Sequence, residues 1–191
     1  DSVILATGSA PNRTGFQRIL PHLDRLPGAD QDNVCTVHDV LEGKVVPGSR
    51  VLLLDDINGW WPASGTAQHL ALQRHEVTVV TAAEHACAAL DFSQTGETMR
   101  ERFMKTGVEV MLATALLSWS GNTAELLNLY TGDKEKRDFD SLVLATTNTS
   151  QDALTAELKA EAFDVHAIGD SVSARTASMA FYEARKLAVA L

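Results

Sequence analysis

One stretch of the sequence, residues 49–81, constrains the fold more than any other. It contains an apolar run from Val51 to Leu54, a segment with helical spacing from Thr66 to Arg74, and a β-branched run from Val77 to Val80. Two parallel strands need a crossover connection, and a helix is the usual one. The stretch therefore predicts a β-α-β unit, which is the repeating element of an α/β domain with a parallel sheet.

Later apolar runs extend this sheet. Val108 to Ala113 follows a helix-patterned segment that ends at Gly107, and Leu142 to Ala145 lies further along the chain. Continuous apolar runs are typical of strands covered on both faces, so we expect both to join the first two strands in one parallel sheet. Between them, residues 118–130 predict two antiparallel strands, and the charged run from Asp133 to Asp138 predicts a solvated turn.

The turn after the first strand departs from the pattern that binds a dinucleotide. That pattern, G-x-G-x-x-G, lets bare backbone N–H groups approach a pyrophosphate at a helix N-terminus. Here the three glycine positions hold Asp55, Ile57 and Trp60. We interpret the turn as a degenerate nucleotide loop, with the candidate residues Asp55, Asp56, Gly59, Trp60 and Gly65. The rings of Trp60 and Trp61 either pack on the turn or fill the vacated adenosine cleft.

Strand ends with small or acidic residues occur near both ends of the chain. Ala6, Thr7 and Gly8 follow an apolar run, and a late predicted strand ends at Gly169 and Asp170, before the helix-patterned segment from Ser171 to Leu191. The carboxyl ends of strands are where open α/β sheets bind ligands. These five residues are therefore candidate cofactor-binding residues, although Asp170 is also suited to capping the helix.

Composition excludes several classes of protein. The chain has 191 residues and a net charge of −9, which argues against a nucleic-acid surface. No apolar run approaches the ~20 residues that a membrane helix needs, so we expect no membrane partner. Cys35 and Cys87 are isolated in sequence, which predicts free thiols in a reducing, cytoplasmic compartment. The chain begins at Asp1 without an initiator Met, and we expect it to be part of a longer protein.

The order of these motifs resembles that of one flavoprotein family. Leu5-Ala6-Thr7-Gly8 comes first, an echo at Leu144-Ala145-Thr146-Thr147 follows the β-α-β region, and Ala167-Ile168-Gly169-Asp170 comes last. This order is similar to that of flavoproteins in which an NAD(P) domain is inserted into an FAD domain. The turn DDINGWW further resembles the C-terminal region of the trimethylamine dehydrogenase, 2,4-dienoyl-CoA reductase and N-methyl amino-acid demethylase family.

The resemblance implies a Rossmann-like, doubly wound α/β fold and a flavin-dependent oxidoreductase as the parent protein. Residues 1–16 and 160–191 would be part of an FAD- or ADP-binding domain, 17–48 a linker, and 49–150 an NAD(P)-binding-like domain. FMN and an iron–sulfur cluster would lie in an upstream barrel. The expected partners are that barrel and the remaining FAD-domain segments, with a homo-oligomer possible, and we expect this portion alone to be inactive.

Other functions fit parts of the sequence. The central domain could still bind NAD(P)H through an altered loop, which would make the parent a pyridine-nucleotide-dependent reductase, or it could be a non-catalytic interaction module. Thr81 occupies the position after the second strand where an acidic residue usually binds the ribose, which counts against NAD(P)H. A receiver-type signalling domain also has an acidic strand end, but it requires an aspartate at the end of a later strand, and Asp91 lies in an Ala-rich, helix-like context.

Overall fold

The structure, a computed structural model, describes residues 2–161 and 163–191. It divides into two compact units. The central unit is Asn12–Thr146, and the terminal unit combines Asp1–Pro11 with Thr147–Leu191. Both ends of the chain therefore belong to one unit, into which the other is inserted.

Strands and short helices alternate along the chain. The strands are β1 (Ser2–Leu5), β2 (Ser9–Ala10), β3 (Val34–Thr36), β4 (Arg50–Asp55), β5 (Glu76–Thr81), β6 (Glu109–Met111), β7 (Thr114–Ser120), β8 (Thr123–Asn128), β9 (Lys134–Asp138), β10 (Ser141–Ala145), β11 (Thr149–Ser150) and β12 (Asp164–Ala167). The helices are α1 (Val37–Leu41), α2 (Trp61–Leu72), α3 (Gly96–Thr106), α4 (Ala153–Ala160) and α5 (Ala177–Ala190), and 3-10 turns cover Ala88–Ser93 and Gly169–Ser171.

A five-stranded parallel sheet forms the middle of the central unit. Its strand order is β3-β10-β4-β5-β6, so the four runs predicted to share a sheet do so. The edge strand β3 was not predicted, because it lies in the segment expected to be a linker. The run from Val34 to Thr36 is too short to show the two-residue period of a strand. It forms a strand by pairing with β10.

Two layers cover this sheet on opposite faces. Val51 and Leu53 of β4 pack against α1, α2 and α3, whereas Leu52 and Leu54 pack against β7 and β8. Side chains alternate across a strand, so one apolar run supplies both cores. The central unit is therefore a sandwich of helices, a parallel sheet and an antiparallel sheet, and its α/β class is as predicted.

The antiparallel layer differs from the prediction in one strand. β7 and β8 form the expected hairpin, but residues 134–138, predicted as a turn, form the strand β9 paired with β8. Its side chains alternate without an apolar face, so the sequence pattern gave no strand signal. Arg137 binds both carboxylate oxygens of Glu109 at 2.8 and 2.7 Å and lies over Phe139. A charged edge strand resists pairing with other chains.

The terminal unit contains two small strand pairs. β1 and β12 are parallel neighbours, with Val3 opposite Val165. β2 and β11 are antiparallel. α5 begins at Ala177 rather than at residue 171, and its half-buried face includes Ala180, Ala184 and Leu187. Within α4 and α5, whose residues are all described, no side chain is fully buried.

Burial differs sharply between one leucine of β4 and one leucine of α2, and this difference predicts different effects on stability. Leu53 has no exposed surface, whereas Leu72 on α2 is 63% exposed. We expect Leu53→Ala to lower the free energy of unfolding by about 2–5 kcal/mol because it leaves a cavity between the sheet and the helices. The matched Leu72→Ala should stay within about 0.5 kcal/mol of the wild type. Urea unfolding followed by circular dichroism measures both, and equal losses would contradict this core assignment.

Candidate functional site

The degenerate nucleotide loop joins the carboxyl end of β4 to α2. Asp55 is the last residue of β4, and α2 begins at Trp61 with Pro62 in its first turn. The sequence predicts that Gly65 lies in the turn and that the helix begins at Thr66, and both predictions are wrong. Proline fits the first helical turn, where its missing N–H is not needed. Nothing lies within 4 Å of a Cβ added at Gly65, so no close approach requires this glycine.

The Asp55 carboxylate binds the N–H groups of its own loop. Ile57 N donates to Oδ1 at 3.0 Å, and Gly59 N donates to Oδ2 at 2.6 Å. In a dinucleotide-binding loop, N–H groups of this kind bind the ligand's phosphate. Asp55 is only 3% exposed, so the chain itself supplies a buried carboxyl group at this position.

Burial controls the ionisation of Asp55. It raises the pKa of the Asp55 carboxyl, against the hydrogen bonds from Ile57, Thr81 and Gly59, which lower it. Thr81, at the end of β5, is itself 2% exposed. Thr81 stands where an acidic residue usually binds the ribose, and its hydroxyl group helps to stabilise the Asp55 carboxylate.

Asp56 does not face the loop; it holds an earlier segment of the chain. Arg18 N donates to Oδ1 at 2.9 Å and Arg18 Nε to Oδ2 at 3.1 Å, and the guanidinium also binds the carbonyl oxygen of Asp56. Burial raises the pKa of Asp56, and the contacts with Arg18 oppose that rise. This role could not be read from the sequence, because 38 positions separate the two residues.

The segment after β5 lies directly on the loop. A Cβ added at Gly59 would lie 2.5 Å from Cys87 Cα and 2.7 Å from Cys87 N, so only glycine fits there. Ala89 N donates to Asn58 O at 2.8 Å. Ser64 Oγ donates to Gly59 O at 2.6 Å and lies 3.4 Å from Cys87 Sγ. Residues 87–89 thus cover the turn that would face a nucleotide, and sequence reasoning missed this contact.

The space left at the loop is very small. A cavity of about 10 Å³ remains, lined by Asp55, Gly59, Ala63, Ser64, Val79, Thr81, Ala86, Cys87, Phe103 and Val110. That volume admits about one water molecule, whereas ligand pockets usually hold roughly 300 Å³ or more. Trp60 is half-buried against the helix-side core, and Trp61 is 44% exposed. The cleft is filled by the segment after β5.

An ion-pair cluster secures that covering segment. His85 Nε2 lies 2.7 Å from Asp91 Oδ2, and Arg100 of α3 donates to Asp91 Oδ1 at 2.9 Å and to Ala86 O at 3.1 Å. These contacts hold the pKa of Asp91 below its usual value. Asp91 therefore lies in a 3-10 turn bound to α3 rather than at a strand end, which does not fit a receiver domain.

The two cysteines have the same state in the structure. Cys35 and Cys87 are both buried free thiols. Burial raises the pKa of Cys35 to about 11 and also raises the pKa of Cys87, so both stay protonated at neutral pH. Across residues 2–161 and 163–191, no group of three or more His, Cys, Asp or Glu side chains is placed to hold a metal ion. In the same part of the chain, no helix is long and apolar enough to cross a membrane.

The terminal unit brings its candidate residues together. Gly8 follows β1 with φ +77°, and Gly169 follows β12 with φ +66°. Ser9 Oγ donates to Asp170 Oδ2 at 3.1 Å and so joins the two strand ends. Gly8 has nothing within 4 Å of an added Cβ, and Ala6 and Thr7 are exposed. Asp170 does not cap α5, whose N-cap is Thr176; instead its Oδ1 accepts from Arg175 N at 3.1 Å.

Comparison with protein families gives one match across nearly the whole chain. The profile of the family described as pyridine nucleotide-disulphide oxidoreductase matches residues 1–184. This range includes both units and every candidate residue.

The curated and solved relatives include amine-oxidising enzymes. Dimethylamine dehydrogenase from Hyphomicrobium sp. (strain x) is 27% identical over 97% of this chain. The 6-hydroxypseudooxynicotine amine oxidase of Pseudomonas geniculata N1 is 28% identical, with a TM-score of 0.89 over 97% of this chain and 28% of its own. Histamine dehydrogenase from Rhizobium sp. 4-9, at 24% identity, also has a TM-score of 0.89, over 98% of this chain and 30% of its own, and shows the fold.

A reductase of aromatic acyl-CoA compounds is also similar. A 2-naphthoyl-CoA reductase is 25% identical over 100% of this chain and 27% of its own, with a TM-score of 0.79. The chain spans 28% of the dimethylamine dehydrogenase. It therefore corresponds to less than a third of each of these four relatives.

The buried carboxylate gives a prediction for stability. Asparagine at position 55 has one acceptor oxygen, so Asp55→Asn leaves either Ile57 N–H or Gly59 N–H without its partner. We expect the free energy of unfolding to fall by about 1–3 kcal/mol at pH 4. The control is Asp32→Asn at an exposed aspartate, which should have little effect. Urea denaturation at pH 4 and pH 7 measures both variants.

The pH dependence of this loss follows from the raised pKa of Asp55. The folded state holds the Asp55 proton more tightly than the unfolded chain, in which an aspartate has a pKa of about 3.9. The stability that Asp55 contributes is therefore complete below that value and is lost as pH rises through the folded pKa. Asparagine does not titrate, so the cost of Asp55→Asn should be smaller at pH 7 than at pH 4. A cost that grows with pH would show that the loop stabilises the ionised carboxylate.

Proposed function

Because the chain belongs to the pyridine nucleotide-disulphide oxidoreductase family, we propose that it is the C-terminal part of a flavin-dependent amine dehydrogenase whose inserted domain does not bind NAD(P)H. The relatives include a dimethylamine dehydrogenase, a 6-hydroxypseudooxynicotine amine oxidase and a 2-naphthoyl-CoA reductase. In this proposal the central unit serves structure and assembly, and the terminal unit contributes to a flavin-nucleotide or ADP site.

The degree of similarity favours an amine as the substrate of the parent. The amine oxidase has a TM-score of 0.89, against 0.79 for the acyl-CoA reductase, at comparable coverage of this chain. The curated dimethylamine dehydrogenase also aligns with 97% of the chain. An enoyl-CoA reductase remains the alternative within the same family.

The observation that carries the proposal is the bond between the Asp55 carboxylate and the Gly59 N–H, at 2.6 Å. A phosphate at this position would have to displace a buried carboxylate and also move Cys87, whose backbone lies against Gly59. This geometry argues against the alternative of a functional NAD(P)H domain. An enzyme that takes its electrons from an amine has no need of NAD(P)H as a reductant.

The terminal unit has groups that suit part of a flavin nucleotide. By resemblance, Ala6, Thr7 and Gly8 would lie beside the nucleotide, and Asp170 would accept a hydrogen bond from the sugar-alcohol chain of FAD. The open space at Gly8 fits a close approach of a ligand to the backbone. Each Asp170 oxygen accepts one hydrogen bond and keeps a lone pair for another. The remaining wall of this site, the FMN and the iron–sulfur cluster would belong to upstream parts of the parent.

Exposed apolar side chains of the terminal unit support such upstream partners. Ile4, Val172, Phe181, Tyr182 and Val189 are 51% to 80% exposed. Large exposed apolar groups mark surfaces that bind other protein segments. We propose that the FAD-domain segments of the parent cover them, and that the 191-residue chain alone is inactive.

Reduction of the flavin in the parent protein tests the amine proposal. We expect secondary or tertiary methylamines to bleach the flavin absorbance under anaerobic conditions, whereas NADH and NADPH leave it unchanged. A stopped-flow spectrophotometer measures both rates. Bleaching by NADH at a rate comparable to that of an amine would favour the reductase alternative, and reoxidation by an enoyl-CoA would favour the acyl-CoA type.

Binding to the isolated chain gives a second test. We expect calorimetric titration to detect no NADH binding at micromolar concentration, because residues 87–89 fill the cleft. Purified chain should also show no flavin absorbance, since its groups form only part of a flavin site. Copurified FAD would contradict the partial-site proposal, and micromolar NADH binding would show that the loop holds phosphate in another way.

A further inference from the structure

One carboxylate of α5 holds both ends of the loop that carries Asp170. Gly169 N donates to Glu183 Oε2 at 2.7 Å, and the Arg175 guanidinium binds Glu183 Oε1. The side chain of Glu183 is 22% exposed. Residues 169–175 are thus closed into a loop whose two ends meet at one side chain.

Asp170 is fixed by contacts at both of its oxygens. Oδ1 accepts from Arg175 N, and Oδ2 accepts from Ser9 Oγ, each at 3.1 Å. Arg175 therefore binds Asp170 through its backbone and Glu183 through its side chain. A change at Glu183 would therefore reach Asp170 through Arg175 and through the adjacent Gly169, whose N–H also donates to Glu183.

The start of the loop also packs on α5. Gly169 has φ +66°, and a Cβ added there would lie 3.3 Å from Ala180 Cβ, one helical turn before Glu183. Residues three apart on a helix share a face, so Ala180 and Glu183 both point toward the loop. The Gly169 N–H and the Arg175 guanidinium hold the pKa of Glu183 below its usual value, so Glu183 is ionised at neutral pH.

We propose that Glu183 is a positioning residue that fixes the Asp170 carboxylate in the orientation needed to bind the polyhydroxy chain of a flavin nucleotide. The inference rests on the proposed function, since it assumes a flavin nucleotide at Asp170. A carboxylate that is already oriented loses less conformational entropy when the ligand binds. Glu183 binds residues 169–175 to α5. It thereby restricts the motion of a loop that has no regular structure after its 3-10 turn.

Hydrogen exchange in the 191-residue chain tests the positioning role without any cofactor. We expect Glu183→Ala to raise the exchange rate of the Gly169 amide by about tenfold, since that amide loses a charged acceptor. Glu183→Gln keeps one acceptor oxygen but places an amide donor toward Arg175, so its effect should be smaller. The control is Glu157→Ala, at an exposed residue of α4. Unchanged exchange at Gly169 in Glu183→Ala would overturn the inference.

A double-mutant cycle in the flavin-loaded parent tests the link to the ligand. We expect Glu183→Ala to weaken FAD binding by about tenfold in the wild-type background and to have no further effect in Asp170→Asn, because a residue that acts through another is not additive with it. ADP lacks the polyhydroxy chain, so its affinity should not change.

The outcomes of the cycle distinguish the proposed role of Glu183 from the proposed function of the parent protein. Additive losses, or equal losses of FAD and ADP affinity, would assign Glu183 a general structural role and overturn the inference. A parent that binds ADP but not FAD would also overturn it while leaving the proposed function intact. A parent that binds neither would refute the proposed function, and the exchange experiment would still decide whether Glu183 holds the loop.

Discussion

The central unit depends on the need of β4 to be covered on both faces. Four successive residues, Val51 to Leu54, have at most 1% of their surface exposed, and they alternate between the helix layer and the hairpin layer. A parallel strand inside a sheet has no solvated face, so each layer requires the other. With both faces occupied, the carboxyl ends of the strands are where a sheet of this kind binds a ligand. The groups at that edge therefore determine whether the domain can bind a nucleotide.

At that edge the chain's own groups lie where a dinucleotide-binding loop binds phosphate. A carboxylate about 4 Å from a phosphate opposes it by about 1 kcal/mol in water and about 4 kcal/mol at an effective dielectric constant near 20. The helix N-terminus offers only about 0.3–1 kcal/mol in return. The repulsion between an ionised Asp55 and a phosphate therefore exceeds the attraction from the helix N-terminus. The contact of Cys87 with Gly59 also leaves no space for the phosphate. A loop satisfied by Asp55 is a stable structural element without any nucleotide.

The terminal unit has the opposite character. Its candidate residues meet through Ser9 and Asp170, but its helices bury no side chain fully and several of its apolar side chains are exposed. In the proposed function such a unit supplies part of a site and part of a core. The chain spans less than a third of the relatives described above. The two units thus differ in how completely each satisfies its own polar and apolar groups.

The sequence by itself determined the α/β class, the four main strands of the parallel sheet and the loss of the glycine loop. These follow from local signals: continuous apolar runs, helical spacing and the identity of residues at fixed offsets. Only the tertiary structure decided that β3 and β9 are strands, because a three-residue strand and a fully charged one have no apolar period and exist through pairing. The hydrogen bonds of Asp56 to Arg18 and of Gly169 to Glu183, and the close approach of Gly59 to Cys87, were likewise not predictable, since they join residues 38, 14 and 28 positions apart. Folding brings such residues together, and no local pattern records the contact.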